Sequence, residues 1–215
     1  MRTVVGIATM KTNFTMGHYK KTLESYIDSG WVFDDVSLRS ENKSIIMAHD
    51  VDHDILNCIN LINAENEMGV TATYFLRLHA RSYNMLCRSS ISIAKELLEL
   101  GAKIGLHYEP TFCPCESKYS HHIVKQMDTL SEAIGSEVSY FNIHEPARTK
   151  VDLSGFLPNK NRCYNSSFFK DYKYLSDSSC RWREGCFSEH VDRWDRLLVL
   201  THPMWWYNSY PDENY

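Results

Sequence analysis

The sequence predicts an α/β protein built on a mainly parallel β-sheet. Short apolar stretches alternate with helical patterns in the order β-α-β-α-β-α-β through the middle of the chain. The segments between the strands are long enough for crossover helices, which parallel strands require. Several predicted strands also end in an aspartate or a histidine, and a parallel barrel brings such strand ends together on one face. The pattern therefore predicts that the functional residues lie at the carboxyl ends of the strands.

Hydrophobic periodicity and capping residues place the individual elements. Helical patterns cover residues 18–28, 54–68, 90–100 and 119–134, and each ends close to a glycine that can adopt a left-handed conformation. Short apolar stretches predict strands over 43–48, 71–76, 103–107, 138–143 and 197–201. Residues 151–172 show no clear pattern and are predicted to be rich in loops.

Composition limits the class of protein. The chain has 215 residues, of which 43% are hydrophobic, so it can form a sizeable core. The net charge is −4 and the basic residues form no cluster, which argues against nucleic acid as a partner. No apolar stretch is long enough to predict a membrane span. We interpret residues 1–215 as one domain, with a helical lead-in over 1–42 and a polar tail over 207–215.

The N-terminus and the cysteines bear on location. The N-terminal apolar run is too short for a signal peptide, and the seven cysteines are an odd number. Cys113 and Cys115 form a close pair that lacks zinc-ribbon spacing, although they could pair with each other or lie near a site. Reduced thiols in a cytoplasmic protein are the favoured interpretation. The sequence leaves the oligomeric state open.

Carboxylates and imidazoles concentrate where the predicted strands end. The strand at 43–48 runs into HDVDHD, in which Asp50 and Asp52 point to the same side of an extended chain. Two carboxylates this close repel each other unless a cation lies between them or one is protonated. Alternatively, Asp50 caps the next helix and Asp52 is a solvated loop residue. Because His107, His144 and His202 end three other strands, we favour a divalent metal site, and imidazole ligands suit zinc.

The residues after these histidines suggest a shaped pocket. His107 and His144 lie in IGLHYEP and FNIHEPAR, where a strand, a histidine, a glutamate and a proline follow one another. His202 is followed by Trp205 and Trp206 in VLTHPMWW. Tryptophans beside a cleft often stack on sugar rings, although the same residues are also common in protein cores.

Five stretches of the sequence, in this order, resemble the polysaccharide deacetylase superfamily. They are HDVDHD, TATYFLR, IGLHYEP, FFKDYKYLSDSSCRWREG and LLVLTHPMWW. This superfamily is also known by its NodB homology and as carbohydrate esterase family four, and the likeness is greatest to its WbmS-like branch, found in loci for surface-polysaccharide (O-antigen) biosynthesis. The resemblance runs from about residue 43 to residue 206. It implies a distorted, incomplete, seven-stranded (β/α) barrel that hydrolyses N- or O-acyl groups of sugars, usually with zinc.

The resemblance also implies roles for individual residues. Asp50 matches the catalytic base of the first motif, and Asp52 matches its metal-binding aspartate. His107 matches the first metal histidine of the second motif. His202 matches the late histidine that acts as general acid on the leaving group.

Further matches concern the surroundings of the base. Asp177, Arg181 and Trp182 resemble elements that orient the base and wall the pocket, and a guanidinium from Arg181 near Asp50 would keep that carboxylate ionised. The residues predicted to contact substrate are Tyr108, Glu109, Trp182, Trp205 and Trp206.

The sequence departs from the family pattern at one metal ligand. The usual second motif has two histidines four residues apart, but position 111 is threonine here. The third ligand must then come from elsewhere, and His144 is the favoured residue because it ends the next strand. Glu109 and His49 are the alternatives, and the adjacent histidines 121 and 122 are expected to lie on a helix face.

These observations predict a metal-dependent deacetylase that acts on an acylated sugar, a nucleotide sugar or a glycan. Metal and backbone donors would polarise the acyl carbonyl, Asp50 would take a proton from the attacking water, and His202 would protonate the leaving group. Two alternatives are a hydrolase of non-sugar amides on the same barrel and a non-catalytic sugar-binding or scaffold protein.

Overall fold

A computed structural model describes residues 14–35, 43–115, 118–146, 148, 162–163 and 171–208. Within these residues the helices are α1 (Met16–Asp28), α2 (Cys58–Glu67), α3 (Arg88–Glu99) and α4 (Tyr119–Ile134). The strands are β1 (Val32–Asp34), β2 (Ser44–Val51), β3 (Ala72–Leu76), β4 (Lys103–Tyr108), β5 (Tyr140–Ile143), β6 (Arg162–Cys163), β7 (Lys173–Ser176) and β8 (Arg196–Thr201). Short 3₁₀ helices cover Ile55–Asn57, Pro110–Phe112, Phe187–Glu189 and Pro203–Trp205.

The strands form one eight-stranded sheet in which every described pair is parallel. The order is β6-β5-β4-β3-β2-β8-β7, and β1 pairs with β2 outside this path. The sheet curls into an incomplete barrel, which confirms the predicted fold class. Because all strands run in the same direction, their carboxyl ends share one edge.

The central strand β2 is buried on both faces and divides the core into two parts. Ile45, Met47 and Val51 belong to the larger cluster, which includes buried residues of the helices. Ile46 and Ala48 belong to a smaller cluster, with Phe75, Leu198 and Leu200 among its members, inside the curve of the sheet. Since side chains alternate along a strand, the residue that continues the inner row at the carboxyl end of β2 is Asp50.

Gly105 is needed for the packing beneath this edge of the sheet. A Cβ atom at this position would lie 2.5 Å from the ring of Phe75 and 3.2 Å from the carbonyl oxygen of Tyr140. The absence of a side chain lets the Phe75 ring lie against β4 two residues before His107. The inner apolar cluster therefore forms a packed floor directly below the strand ends.

Most predicted elements are present, with shifted ends. Helix α1 begins two residues earlier than predicted, and β2 continues to Val51 instead of ending at Ala48. The short strands β1 and β7 were not predicted, because three or four residues carry too little periodicity. Of the predicted loop-rich stretch 151–172, residues 151–161 and 164–170 lie outside the described residues, as do 1–13 and 209–215.

The two ends of the described chain are joined to each other. Thr15 and Tyr207 form an isolated parallel bridge, and the amide of Met16 donates to the carbonyl of Tyr207 at 2.8 Å. Helix α1 buries Tyr19, Leu23 and other residues in the larger cluster, so this part of the predicted lead-in belongs to the core. Among the described residues, the helices are too short or too polar to cross a membrane.

Candidate metal centre

The carboxyl ends of four strands bring the predicted aspartates and histidines together. Asp50 is the penultimate residue of β2, and Asp52 follows that strand directly. His107 lies in β4, while His144 and His202 follow β5 and β8. Residues distant in sequence therefore converge at one edge of the sheet.

The carboxylate of Asp52 is the centre of this group. Its Oδ1 atom lies 3.3 Å from Nε2 of His107 and 3.7 Å from Nε2 of His144. Its Oδ2 atom lies 3.7 Å from Nε2 of His202. Three imidazoles thus direct the same ring nitrogen towards one carboxylate.

Asp52, His107 and His144 have the geometry of a metal site. One ligand atom from each residue lies within 4.8 Å of the others. In a tetrahedral zinc site with bonds of about 2.0–2.1 Å, neighbouring ligand atoms are roughly 3.3 Å apart. The separations of 3.3 and 3.7 Å from Asp52 Oδ1 are close to this value, and the longer one exceeds a hydrogen bond. One carboxylate and two imidazoles therefore fit zinc or a similar divalent cation.

An amide links His107 to Asp50. Nδ2 of Asn142 donates to Oδ1 of Asp50 at 2.6 Å, so the amide oxygen faces His107. Nδ1–H of His107 donates to that oxygen at 2.5 Å. This bond places a proton on Nδ1, so Nε2, the atom directed at Asp52, can offer its lone pair to a cation once it has lost its own proton.

Glu109 and Arg77 hold His144. Nδ1–H of His144 donates to Oε2 of Glu109 at 2.7 Å, and Nη2 of Arg77 donates to the same oxygen at 2.7 Å. Nη1 of Arg77 lies 3.3 Å from Nε2 of His144 and 3.4 Å from Oδ1 of Asp52. Glu109 therefore supports a candidate ligand, and Arg77 balances part of the negative charge of the site.

Asp177 orients His202. Its Oδ1 accepts the Nδ1–H of His202 at 2.6 Å, and its Oδ2 accepts the backbone amide of His202 at 3.1 Å. The indole Nε1–H of Trp206 also donates to Oδ2 at 3.1 Å. Because Asp177 is fully buried and receives three hydrogen bonds, the ring of His202 is held with Nε2 towards the site.

These contacts set the protonation states of two site residues. Burial alone would lower the pKa of His202, but the hydrogen bond to Asp177 and the charges of that residue and the two site aspartates raise it to about 9. Burial opposes ionisation of Asp52, yet the hydrogen bond and charge of His107, together with the neighbouring histidines, hold the pKa of Asp52 well below its usual range. At neutral pH, His202 is therefore protonated and Asp52 is ionised.

Two predicted residues lie on the opposite face of the sheet. Tyr108 follows His107 in β4, so its side chain points towards the helices, where it is fully buried and its hydroxyl bonds Nδ1 of His122 at 2.8 Å. His49 precedes Asp50 and is fully buried on that same face. The structure therefore contradicts substrate contact by Tyr108 and metal ligation by His49.

Arg181 does not fulfil the prediction that it accompanies Asp50. Its side chain is exposed, and no ion pair between the two residues occurs in the described part of the chain. Its backbone amide donates to the carbonyl of Asp177 at 3.2 Å, as part of the turn after β7. The guanidinium that enters the site belongs to Arg77.

The tryptophans divide into two groups. Trp206 is 4% exposed and packs edge-on against Tyr19 with ring centroids 4.9 Å apart, so it belongs to the core. Its indole donates a hydrogen bond to Asp177, and its ring is not available to stack on a sugar. Trp182 and Trp205 are partly buried and pack against the larger core cluster. Their contact with a substrate remains a prediction.

Sequence reasoning missed Arg77 and Asn142. Arg77 directly follows β3, just as Asp52 follows β2, so it belongs to the same edge of the sheet. Asn142 lies two residues before His144 and therefore faces the same side of the chain. Both could have been found by applying the strand-end and alternation rules to every polar residue and not only to aspartates and histidines.

The sequence matches no family model and no curated protein, whereas the structure resembles solved proteins. A family 4 carbohydrate esterase from Bacillus anthracis superposes with a TM-score of 0.51 at 13% identity, over 86% of this chain and 77% of that chain. A CE4 family pseudoenzyme from the same organism gives a TM-score of 0.52 at 14% identity, over 77% of this chain and 56% of that chain. A mutant of peptidoglycan deacetylase PdaC from Bacillus subtilis gives 0.50 at 10% identity, over 78% of each chain.

The extent of these matches limits what they imply. Five of the similar structures are covered over only 56–65% of their own length. The fold also occurs in a pseudoenzyme, so the fold alone does not decide activity. None of these comparisons bears on the WbmS-like branch, which stays a prediction. What they establish, together with the curled parallel sheet, is that this chain has the fold of the family 4 carbohydrate esterases, the NodB-like polysaccharide deacetylases.

Proposed function

We propose that the protein is a metal-dependent hydrolase that removes an N-acyl or O-acyl group from a sugar. The observation that carries the proposal is the arrangement around Asp52, whose carboxylate lies 3.3–3.7 Å from the Nε2 atoms of three imidazoles. A metal site needs two of these imidazoles as ligands, and the third is available for proton transfer. Asp52, His107 and His144 are the proposed ligands, and zinc is the proposed metal.

The cation would supply Lewis acidity towards the acyl carbonyl and would make a nearby water more acidic. The chain itself supplies the proton transfers. Oδ1 of Asp50 is held by Asn142 at 2.6 Å, which leaves Oδ2, 3.7 Å from Nε2 of His107, to accept a proton from the attacking water.

His202 is the proposed general acid. Its Nδ1–H is bound to Asp177, so its Nε2 is the atom that can give a proton to the departing amine or hydroxyl. Its raised pKa, at about 9, keeps it protonated at neutral pH, as this role requires. Asp50 and His202 would thus supply the proton acceptor and the proton donor that base-then-acid hydrolysis needs.

A sugar is the proposed substrate, as an acylated monosaccharide, a nucleotide sugar or a glycan. Support comes from the shared fold with carbohydrate esterases and from the sequence motifs. A role in surface-polysaccharide biosynthesis in the cytoplasm goes with the WbmS-like resemblance and is part of the proposal.

Metal analysis and a substrate panel test the function together. We expect the purified protein to retain about one equivalent of zinc and to release acetate from N-acetylated sugars, nucleotide sugars or oligosaccharides. Release from simple amides but not from sugars would favour the non-sugar hydrolase. A protein that binds the sugars without releasing acetate, or that binds no metal, would contradict the proposal and favour a non-catalytic relative.

A further inference from the structure

Glu65 is a fully buried carboxylate on the helix-facing side of the sheet, away from the metal centre. It lies in α2, and its Oε1 accepts hydrogen bonds from the hydroxyl of Tyr19 at 2.5 Å and from Nε2–H of His49 at 2.8 Å. Its Oε2 accepts the hydroxyl of Tyr74 at 2.7 Å. A buried carboxylate is unfavourable unless such donors surround it, so this network is specific in its geometry.

The network ties three neighbouring strands together at one level. In the sheet register, His49 on β2 is opposite Tyr74 on β3 and opposite Thr201 on β8. Nδ1 of His49 and Oγ1 of Thr201 form a hydrogen bond at 2.6 Å. All of these side chains are fully buried. Glu65 therefore holds β3, β2 and β8 at a fixed separation through one row of side chains.

This row lies immediately behind the proposed catalytic residues. Asp50 follows His49, and His202 follows Thr201. Because side chains alternate along a strand, the two side chains of each consecutive pair point to opposite faces of the sheet. Consecutive residues share a backbone, so a shift of the buried row shifts the next residue as well. The distance between the base on β2 and the acid after β8 consequently depends on the contacts behind them.

A second route joins Glu65 to the acid. Tyr19, which donates to Glu65, packs edge-on against Trp206 with ring centroids 4.9 Å apart. The indole of Trp206 donates to Asp177, which binds His202. The carboxylate of Glu65 is thus connected to His202 through β8 and through the core aromatic residues.

We propose that Glu65 is a positioning residue that sets the spacing between the carboxylates at the end of β2 and His202 after β8. Packed apolar residues often replace buried charges without loss of stability, so stability alone does not require a carboxylate here. The three donors, on two strands and α1, match the two acceptor oxygens of a carboxylate at this position. The roles of Asp50 and His202 rest on the proposed function, but the spacing itself can be measured without it.

The test uses Glu65→Gln and Thr201→Val, with Ile62→Val as the matched control in the same helix. Long-range ¹H–¹⁵N spectra of the histidine rings are recorded on metal-free protein, and zinc affinity is measured by competition with a chromogenic chelator. We expect both network variants to displace the ring resonances of His202 and His107 and to weaken zinc binding about tenfold. Ile62→Val, which removes one buried methylene, should lower thermal stability and leave both readouts unchanged.

Two results would overturn the proposal. One is that ring resonances and zinc affinity in both network variants coincide with those of the wild type. The other is that Ile62→Val moves them equally, which would show that any packing defect in α2 has the same effect. If Glu65→Gln does not fold, Thr201→Val decides, because it removes a single hydrogen bond. A wild type that binds no zinc would contradict the proposed function, while the ring resonances would still test the positioning role.

Discussion

Oδ1 of Asp177 accepts the Nδ1–H of His202 at 2.6 Å, and the same carboxylate is fully buried. This pair joins β7 to the end of β8, two strands that meet at the edge of the metal centre. A buried carboxylate bound to an imidazole favours the protonated ring, so the contact controls when His202 can donate a proton.

The first prediction concerns the pH dependence of hydrolysis. The general acid must be protonated, so activity falls as pH rises through the pKa of His202, which Asp177 helps to raise to about 9. Asp177→Asn removes the charge, lowers that pKa and moves the alkaline limb of kcat/KM to lower pH by roughly one pH unit or more. A bound cation would lower the absolute value without changing the sign of this shift.

The control for this pH profile is Asp192→Asn, which changes an exposed carboxylate in the segment between β7 and β8. It should leave the alkaline limb where it is in the wild type. An Asp177→Asn profile that coincides with the wild type would show that His202 is not the group that titrates.

The second prediction separates the base from the ligands. Asp50→Asn keeps the size of the side chain but removes its basicity, so turnover should fall by about 10²–10⁴-fold, the typical contribution of a general base. The bound zinc should stay at the wild-type level, because Asp52 and the two histidines are retained. Asp54→Asn is a suitable control, since Asp54 is exposed, caps the amide of Leu56 at 2.9 Å, and asparagine caps equally well. Wild-type turnover in Asp50→Asn would remove Asp50 from the role of base.

The third prediction concerns the third metal ligand. His144→Gln should lower zinc affinity by well over tenfold, because it removes a ligand, whereas Glu109→Gln should lower it by about tenfold through the loss of the carboxylate behind His144. Competition with a chelator of known affinity measures both. The exposed His121 offers a matched control as His121→Gln, which should bind zinc like the wild type. A larger effect at Glu109 than at His144 would identify the glutamate as the ligand.

The strand-end rule explains why part of the site could be predicted from sequence. Asp52, His107, His144 and His202 each lie at or just beyond the end of an apolar stretch, and parallel strands bring these positions to one edge. The same rule does not say which of two consecutive residues at a strand end points to the site and which points to the helices. Tyr108 was therefore placed in the pocket although it alternates with His107 and points to the helices.

Other features needed three-dimensional information. Arg77 and Arg181 both lie in stretches that resemble the superfamily, but in the folded protein Arg77 contacts Asp52 and Glu109 whereas Arg181 is exposed. The Glu65 network is also invisible in the sequence, because a glutamate in a helical pattern normally predicts a solvated position. Its burial follows from the packing of α1 and α2 on the sheet.

The fourth prediction tests whether Arg77 and Glu109 act as a pair. Both are nearly buried, and Nη2 of Arg77 lies 2.7 Å from Oε2 of Glu109, with side-chain exposures of 10% and 9%. Arg77→Met leaves a carboxylate without its cation, so the free energy of unfolding of the metal-free protein should fall by about 3–5 kcal/mol in urea. Adding Glu109→Gln to Arg77→Met removes that unpaired charge, so the double variant should be more stable than the sum of the single effects predicts.

The exposed pair between Lys20 and Glu67, whose side chains are 39% and 61% exposed, is the matched comparison, and its double-mutant cycle should give less than about 1 kcal/mol. If the changes in the free energy of unfolding at Arg77 and Glu109 were strictly additive, the two residues would not act as a pair. The guanidinium would then balance the charge of Asp52 alone, and Glu109 would hold His144 without help from Arg77.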